Sequence, residues 1–200
     1  MMLPINRRVP SNMNKKKVYV VDNGGQWTHR IWRVLRELNC DSKILPNTTP
    51  LKEIDAQALV LSGGAARIEW ESVKLGNCIE YLDHFSGPIM GVCLGMQFMA
   101  IHFGGKAGPA QVAEYGIAHL EVLEEDLLFK GLPKHFNVWQ SHNDEVKEAP
   151  GFEVLARSER CPIQAMKHKT RPLYGVQFHP EVNNTEHGEK IYANFLSILD

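Results

Sequence analysis

The stretch P-I-M-G-V-C-L-G-M-Q-F-M-A-I-H-F-G-G, residues 88–105, decides how the rest of the chain is read. Ile89 to Val92 is a short apolar run introduced by Gly87-Pro88, which predicts a buried strand. Leu94 to Phe103 puts Leu94, Phe98 and Ile101 on one helical face, with Gly104-Gly105 as the stop. Cys93 lies between the two, with no room for a loop. A strand that becomes a helix across one residue forces that residue into a strained backbone. Gly91 and Gly95, two positions to either side, relieve the crowding. The pattern is that of a nucleophile elbow with sulfur in place of oxygen. Cys93 then stands at a helix N-terminus, where free N–H groups and the helix dipole favour an anion. The N–H groups of the turn, that of Leu94 first, can face an oxyanion formed beside the sulfur. Most buried cysteines only pack; the flanking glycines and the following helix weigh against that reading here.

Outward from the elbow, strands and helices alternate. Val18 to Val21 reads as a strand ending at Asp22-Asn23-Gly24-Gly25, and Gln26 to Leu38 as an amphipathic helix facing inward through Trp27, Ile31, Val34, Leu35 and Leu38. Lys43 to Leu45 and Ala58 to Leu61 are further strands, the second followed by the turn Ser62-Gly63-Gly64-Ala65. Glu71 to Phe85 has a helical pattern weakened by Gly76. This alternation implies an α/β fold with a mostly parallel central sheet flanked by helices. Ligands bind beyond the carboxyl ends of such strands, so Asp22 to Gly25, Ser62 to Ala65 and Cys93 are expected to share one rim. After Gly105 come short strands without long helices between them: Ile117 to Val122, Phe136 to Trp139, Phe152 to Ala156, Ile163 to Lys167 and Leu173 to Phe178. They predict antiparallel strands, some extending the main sheet and some in a small side sheet. Glu186 to Leu199 reads as a closing helix with Thr185 as its N-cap.

Composition narrows the function classes. With 200 residues, 44% hydrophobic and 22% charged, the chain is one ordinary domain with a real core. A net charge of −1 offers no electrostatic case for nucleic acid or an anionic membrane, and no apolar run approaches a membrane span. Cys40, Cys78, Cys93 and Cys161 form no C-x-x-C pair, which argues against a disulfide framework or a zinc site and points to a cytoplasmic chain. Residues 1–16, basic and without an apolar signal core, read as a disordered N-terminal extension.

Far along the chain, L-Y-G-V-Q-F-H-P-E at 173–181 reads as a strand delivering His179 at its end, where Pro180 stops the pairing. Glu181 is close enough in sequence to bond a ring nitrogen of His179 and fix its tautomer. A thiol needs a base and the base an orienter, and Cys93, His179 and Glu181 meet that requirement. H-P-E alone is a weak signal, since a histidine beside proline is usually a surface turn. Paired with G-V-C-L-G it becomes specific.

G-V-C-L-G-M-Q at 91–97 together with G-V-Q-F-H-P-E-V at 175–182 resembles the class I (triad) glutamine amidotransferases, over nearly the whole chain from about Val18. The fold this implies is flavodoxin-like, with residues 17–200 as one amidotransferase domain. Within the family, D-N-G-G-Q-W-T-H-R at 22–30, E-Y-G at 114–116 and W-Q-S-H-N-D-E-V at 139–146 resemble the glutaminase part of GMP synthetases. The resemblance implies glutamine hydrolysis through a γ-glutamyl thioester on Cys93, with His179 as acid and base and Glu181 orienting it. It further implies oxyanion N–H groups from Gly64 and Leu94, and glutamine held by Gln97, Ser141 and His142, partly through main-chain atoms. No cofactor or metal is implied for this chain. ATP and Mg²⁺ would be used by a partner, an ATP-pyrophosphatase subunit that aminates XMP; no G-x-x-x-x-G-K-[ST] loop occurs here, and Ser62-Gly63-Gly64 continues Ala-Ala-Arg. Ala65 stands where the family usually has proline, and Asn23, Gly25 and Trp27 depart from its first motif. Two alternatives stay open: the glutaminase of a chorismate-using synthase, and a stand-alone cysteine hydrolase on a similar elbow.

Overall fold

The computed structural model describes residues 15–68 and 75–200. Its frame is a sheet of nine strands: β1 (Val18–Asp22), β2 (Ile44–Pro46), β3 (Ala58–Leu61), β4 (Ile89–Val92), β5 (Lys106–Val122), β6 (His135–Glu148), β7 (Phe152–Arg157), β8 (Ala165–His168) and β9 (Leu173–Val176). In space they run β2-β1-β3-β4-β9-β8-β7-β5-β6. The pairings from β2 through β9 are parallel, and those from β9 through β6 are antiparallel. The small side sheet expected from the sequence is therefore not separate. The antiparallel strands bond onto β9 and continue one mixed sheet, because β9 offers its free edge to β8.

Strands covered on both faces read as unbroken apolar runs. In β1, Val18 and Val20 face one core and Tyr19 and Val21 the other, all buried. The first core is closed by α1 (Thr28–Glu37), through Ile31 and Leu35, and by α4 (Gly188–Leu196), through Ile191, Tyr192 and Phe195. The second is closed by α2 (Cys78–His84) and α3 (Leu94–His102). In α3 every residue from Leu94 to Ala100 is buried, more than a one-faced helix requires, because the β5–β6 hairpin packs on its far side.

Two expectations need correction. The helix expected over 71–85 is described only as Cys78–His84, residues 69–74 lying outside the described part. Gly76 breaks the pattern with φ +53°, a conformation that side chains avoid. A Cβ there would also lie 2.6 Å from the Asn47 carbonyl oxygen. The closing helix starts at Gly188, and Thr185 does not cap it: its hydroxyl donates to the His179 carbonyl at 2.7 Å and accepts the Trp139 N–H at 2.9 Å. Most of the expected 1–16 extension lies outside the described residues. Lys16 does not: its ammonium reaches the Leu196 carbonyl at 2.9 Å and Asp200 at 2.6 Å.

Around the elbow the backbones approach closely. A Cβ on Gly95 would lie 2.5 Å from the Leu61 carbonyl oxygen, and one on Gly91 2.6 Å from the Gly95 carbonyl carbon. Neither neighbour is a flexible side-chain end. Gly95→Ala should therefore cost about 1–3 kcal/mol by overpacking. A urea unfolding curve with an unchanged midpoint would show that this contact is looser than described.

Candidate active site

The elbow forms as the sequence predicts. Cys93 has φ +52° and ψ −107°, a strained backbone for a side-chain-bearing residue. Such strain costs of order 1–3 kcal/mol and persists only where the surroundings enforce it. Here the enforcement is visible: the Cys93 N–H donates to the Val176 carbonyl at 2.7 Å, and the Cys93 carbonyl accepts the Gln97 N–H at 3.0 Å. Sheet holds one side of the residue and helix the other.

The same sheet brings in the second half of the site. Beyond β9 the extended chain alternates, so Phe178 enters the core while Gln177 and His179 turn toward the sulfur. Strand β6 anchors this segment, the His179 N–H donating to the Trp139 carbonyl at 3.0 Å. His179 Nδ1 lies 2.8 Å from Glu181 Oε1, and the other Glu181 oxygen accepts the Tyr192 hydroxyl of α4 at 3.3 Å. With Nδ1 engaged, Nε2 is the nitrogen left for Cys93. Trp27 stands edge-on to the ring, centroids 4.4 Å apart. Burial lowers the proton affinity of His179, but the Glu181 carboxylate and the Cys93 sulfur outweigh it and push the pKa up to about 10. The arrangement therefore favours an imidazolium beside the sulfur.

A cavity of about 310 Å³ opens on this group. Gly24-Gly25, Gly63 to Ala65 and Cys93 all line it, so the three strand ends do share one rim. The first two loops are tied together: the Asn23 N–H donates to Ser62 Oγ at 2.9 Å, and its amide to the Ser62 carbonyl at 3.2 Å. Gly63 lies against the reacting pair, where an added Cβ would sit 3.3 Å from His179 Cε1 and 3.6 Å from Cys93 Cβ.

Of the residues singled out from sequence, Cys93, His179, Glu181, Gly64, Gln97, Ser141 and His142 line the cavity. Leu94 does not; its side chain packs in the core against Gly64, leaving only its backbone to act there. Gln97 uses its amide nitrogen inside the protein, on the Asp144 carbonyl at 2.6 Å and Gln177 Oε1 at 3.2 Å. The buried His142 ring bonds Glu114 at 3.1 Å. Asp144 borders the cavity and binds Arg67 at 2.7 Å and the Ile68 N–H at 3.3 Å. Sequence reasoning misses Gln177, Glu114 and Arg67, and takes Trp27 for a helix-face residue. Gln177 carries a signal in its two-residue spacing from His179, and Glu114 in the E-Y-G stretch at 114–116.

The other cysteines differ in kind. Cys78 is buried in the core and its thiol is pushed up to about 12 by burial, and Cys161 is raised for the same reason. Among the described residues, no cluster of three or more His, Cys, Asp or Glu side chains is placed to hold a metal ion.

The raised His179 pKa predicts a pH effect on stability. Its contribution is fully present below the ordinary value of 6.5 and is lost as pH rises toward about 10. Melting temperatures taken across that window should fall more steeply for the native chain than for Glu181→Gln. Parallel curves would mean that Glu181 does not hold the proton on His179.

Residues 19–199 match the sequence model of the family described as glutamine amidotransferase class-I. A subunit of the glutamine-hydrolyzing GMP synthase of Thermococcus kodakarensis is 53% identical over 188 residues, 90% of this chain and 97% of that protein. The corresponding GMP synthase subunit of Pyrococcus abyssi is 54% identical with the same coverage. A crystal structure of a Thermoplasma acidophilum protein, assigned provisionally as a GMP synthase subunit, superimposes with a TM-score of 0.89 at 48% identity, covering 94% of this chain and 95% of that one. A glutamine amidotransferase from Thermotoga maritima, 20% identical, shares the fold with a TM-score of 0.72 over 93% of this chain and 83% of that one. The elbow, the strand-end loops and the match over nearly the whole chain lead to one conclusion: this protein belongs to the class I glutamine amidotransferases.

Proposed function

We propose that this chain is the glutaminase subunit of a two-subunit GMP synthase. The observation that carries it is a Cys93–His179–Glu181 constellation on one cavity, in a chain about half identical to glutamine-hydrolyzing GMP synthase subunits along nearly their full length. The Cys93 thiolate attacks the side-chain amide carbon of glutamine. The oxyanion that forms faces the backbone N–H groups of Gly64 and Leu94. The His179 imidazolium gives its proton to the departing nitrogen, the C–N bond breaks, and ammonia leaves a γ-glutamyl thioester. Neutral His179 then takes a proton from water, hydroxide adds to the thioester carbonyl, and the C–S bond breaks to free glutamate and restore the thiolate. Glu181 keeps the ring oriented throughout. Gln97, Ser141 and His142 hold the amino-acid end of glutamine, the last two through main-chain atoms.

Ammonia passes to an ATP-pyrophosphatase subunit that aminates XMP to GMP with ATP and Mg²⁺. This chain itself uses no cofactor, and with four free cysteines it works in the cytoplasm. Its pairing with the partner depends on substrate, because unpaired hydrolysis would waste glutamine. Full turnover by the isolated chain would count against that dependence.

The two chains mixed with XMP, ATP, Mg²⁺ and glutamine should form GMP. Cys93→Ala should lower glutamine-dependent GMP formation at least about 10³-fold and leave ammonium-dependent formation by the partner intact. GMP formation from glutamine by the Cys93→Ala mixture would refute the thioester route. A partner that amidates chorismate instead would refute the GMP assignment.

A further inference from the structure

We propose that Gln177 is a donor to the reacting sulfur, a neutral amide that holds the Cys93 thiolate from the protein interior. The inference rests on the reading of Cys93 as the nucleophile. Gln177 is fully buried and does not line the cavity, so it approaches from the side away from the substrate. Its Nε2 donates to Cys93 Sγ at 3.5 Å, an ordinary length for the larger sulfur atom. The amide cannot turn over, because its oxygen accepts the Gln97 amide N–H at 3.2 Å, and that same Gln97 nitrogen is fixed on the Asp144 carbonyl at 2.6 Å. The Gln177 backbone N–H is tied to the Gln164 carbonyl at 2.8 Å. A chain of amides thus runs from the main chain of β6 to the sulfur, with every orientation set by the link before it.

His179 and Gln177 act on the sulfur in different ways. His179 gives its proton away during acylation and takes one from water during deacylation. Gln177 does not ionise at working pH, so its N–H remains a donor throughout the cycle. Its effect is greatest when the C–S bond of the second tetrahedral intermediate breaks and the electron pair returns to sulfur. A donor already in position stabilises that leaving thiolate, as it stabilises the resting one. The titratable and charged groups around the sulfur are His179 with Glu181 after β9, the His142–Glu114 pair from β6 and β5, and Asp144 with Arg67. Gln177→Met leaves all of them in place; it removes the donor to the sulfur together with the acceptor for the Gln97 amide, which keeps its bond to the Asp144 carbonyl.

The test compares Gln177→Met and Gln177→Glu with the native chain. The rate of alkylation by iodoacetamide is followed against pH, with Cys93→Ala as the blank for the buried thiols, and turnover is measured with the partner subunit present. For Gln177→Met the alkylation midpoint should move to higher pH by about one unit. Its kcat should fall about tenfold with KM within about twofold, and intact-mass spectra should show accumulated γ-glutamyl enzyme. Gln177→Glu, which sets a carboxyl beside the sulfur, should move the midpoint further. Native alkylation profiles in both variants would overturn the proposal and leave Gln177 a packing residue. Should neither variant fold, the side-chain amide resonance of Gln177 in the native chain should shift on alkylation of Cys93, and an unmoved resonance would overturn it equally. Glutamine hydrolysis that survives Cys93→Ala would bring down the nucleophile itself. Hydrolysis lost in Cys93→Ala, with the Gln177 variants unaffected, would bring down only the role of Gln177.

Discussion

The parallel register between β4 and β9 is the constraint on which the site depends. It sets Gly91 opposite Gly175 and Val92 opposite Val176, and the next hydrogen bond, from Cys93 to Val176, closes the ladder. One residue beyond that rung the two chains diverge, β4 into a helix and β9 into an extended segment. The side chains leaving this fork are those of Cys93, Gln177 and His179. A slip of one residue in β9 would send Phe178 to the sulfur and His179 into the core, because side chains alternate faces along a strand. The chemistry is thus specified by a backbone pairing between segments far apart in sequence.

The register is enforced from both faces of the sheet. Below it, Gly91, Gly95 and the Leu61 carbonyl are in backbone contact, so α3 can sit at only one height on the strands. Across it, Gly175 lies where an added Cβ would come within 2.7 Å of Met96 of α3. Above it, β6 holds the His179 backbone through Trp139, and α4 holds Glu181 through Tyr192. Strain at Cys93 is retained because relieving it would require breaking several of these contacts together.

The polar surroundings follow a different logic. Buried polar groups need partners, and here those partners come from separate elements: Gln97 from α3, Asp144 from β6, Gln177 after β9, Glu114 from β5 and His142 from β6. Each satisfied bond removes a freedom that a sequence reading leaves to the side chain. The Gln97 amide nitrogen and the His142 imidazole, both singled out for the substrate, are occupied within the protein, which moves their part in binding toward remaining atoms and the main chain. Asp144 becomes the anchor of the loop that follows Ser62-Gly63-Gly64, through its ion pair with Arg67.

Sequence alone determined the elements that depend on local steric and solvation rules. The one-residue step between an apolar strand and a helix, relieved by two glycines, announced the elbow at Cys93. A histidine stopped by proline, with a carboxylate two residues on, announced its base and orienter, and the unbroken apolar strands announced a sheet covered on both faces. These signals are short-range, so they survive in linear order. Tertiary structure decided the rest. That the antiparallel strands continue the main sheet follows from the free edge of β9, which no local pattern encodes. That Gly76 ends a helical pattern depends on the Asn47 carbonyl beside it. That Gln177 faces the sulfur depends on a register fixed by packing over the whole sheet. Periodicity tells a residue which face of its strand it occupies; only the assembled fold tells it what lies opposite.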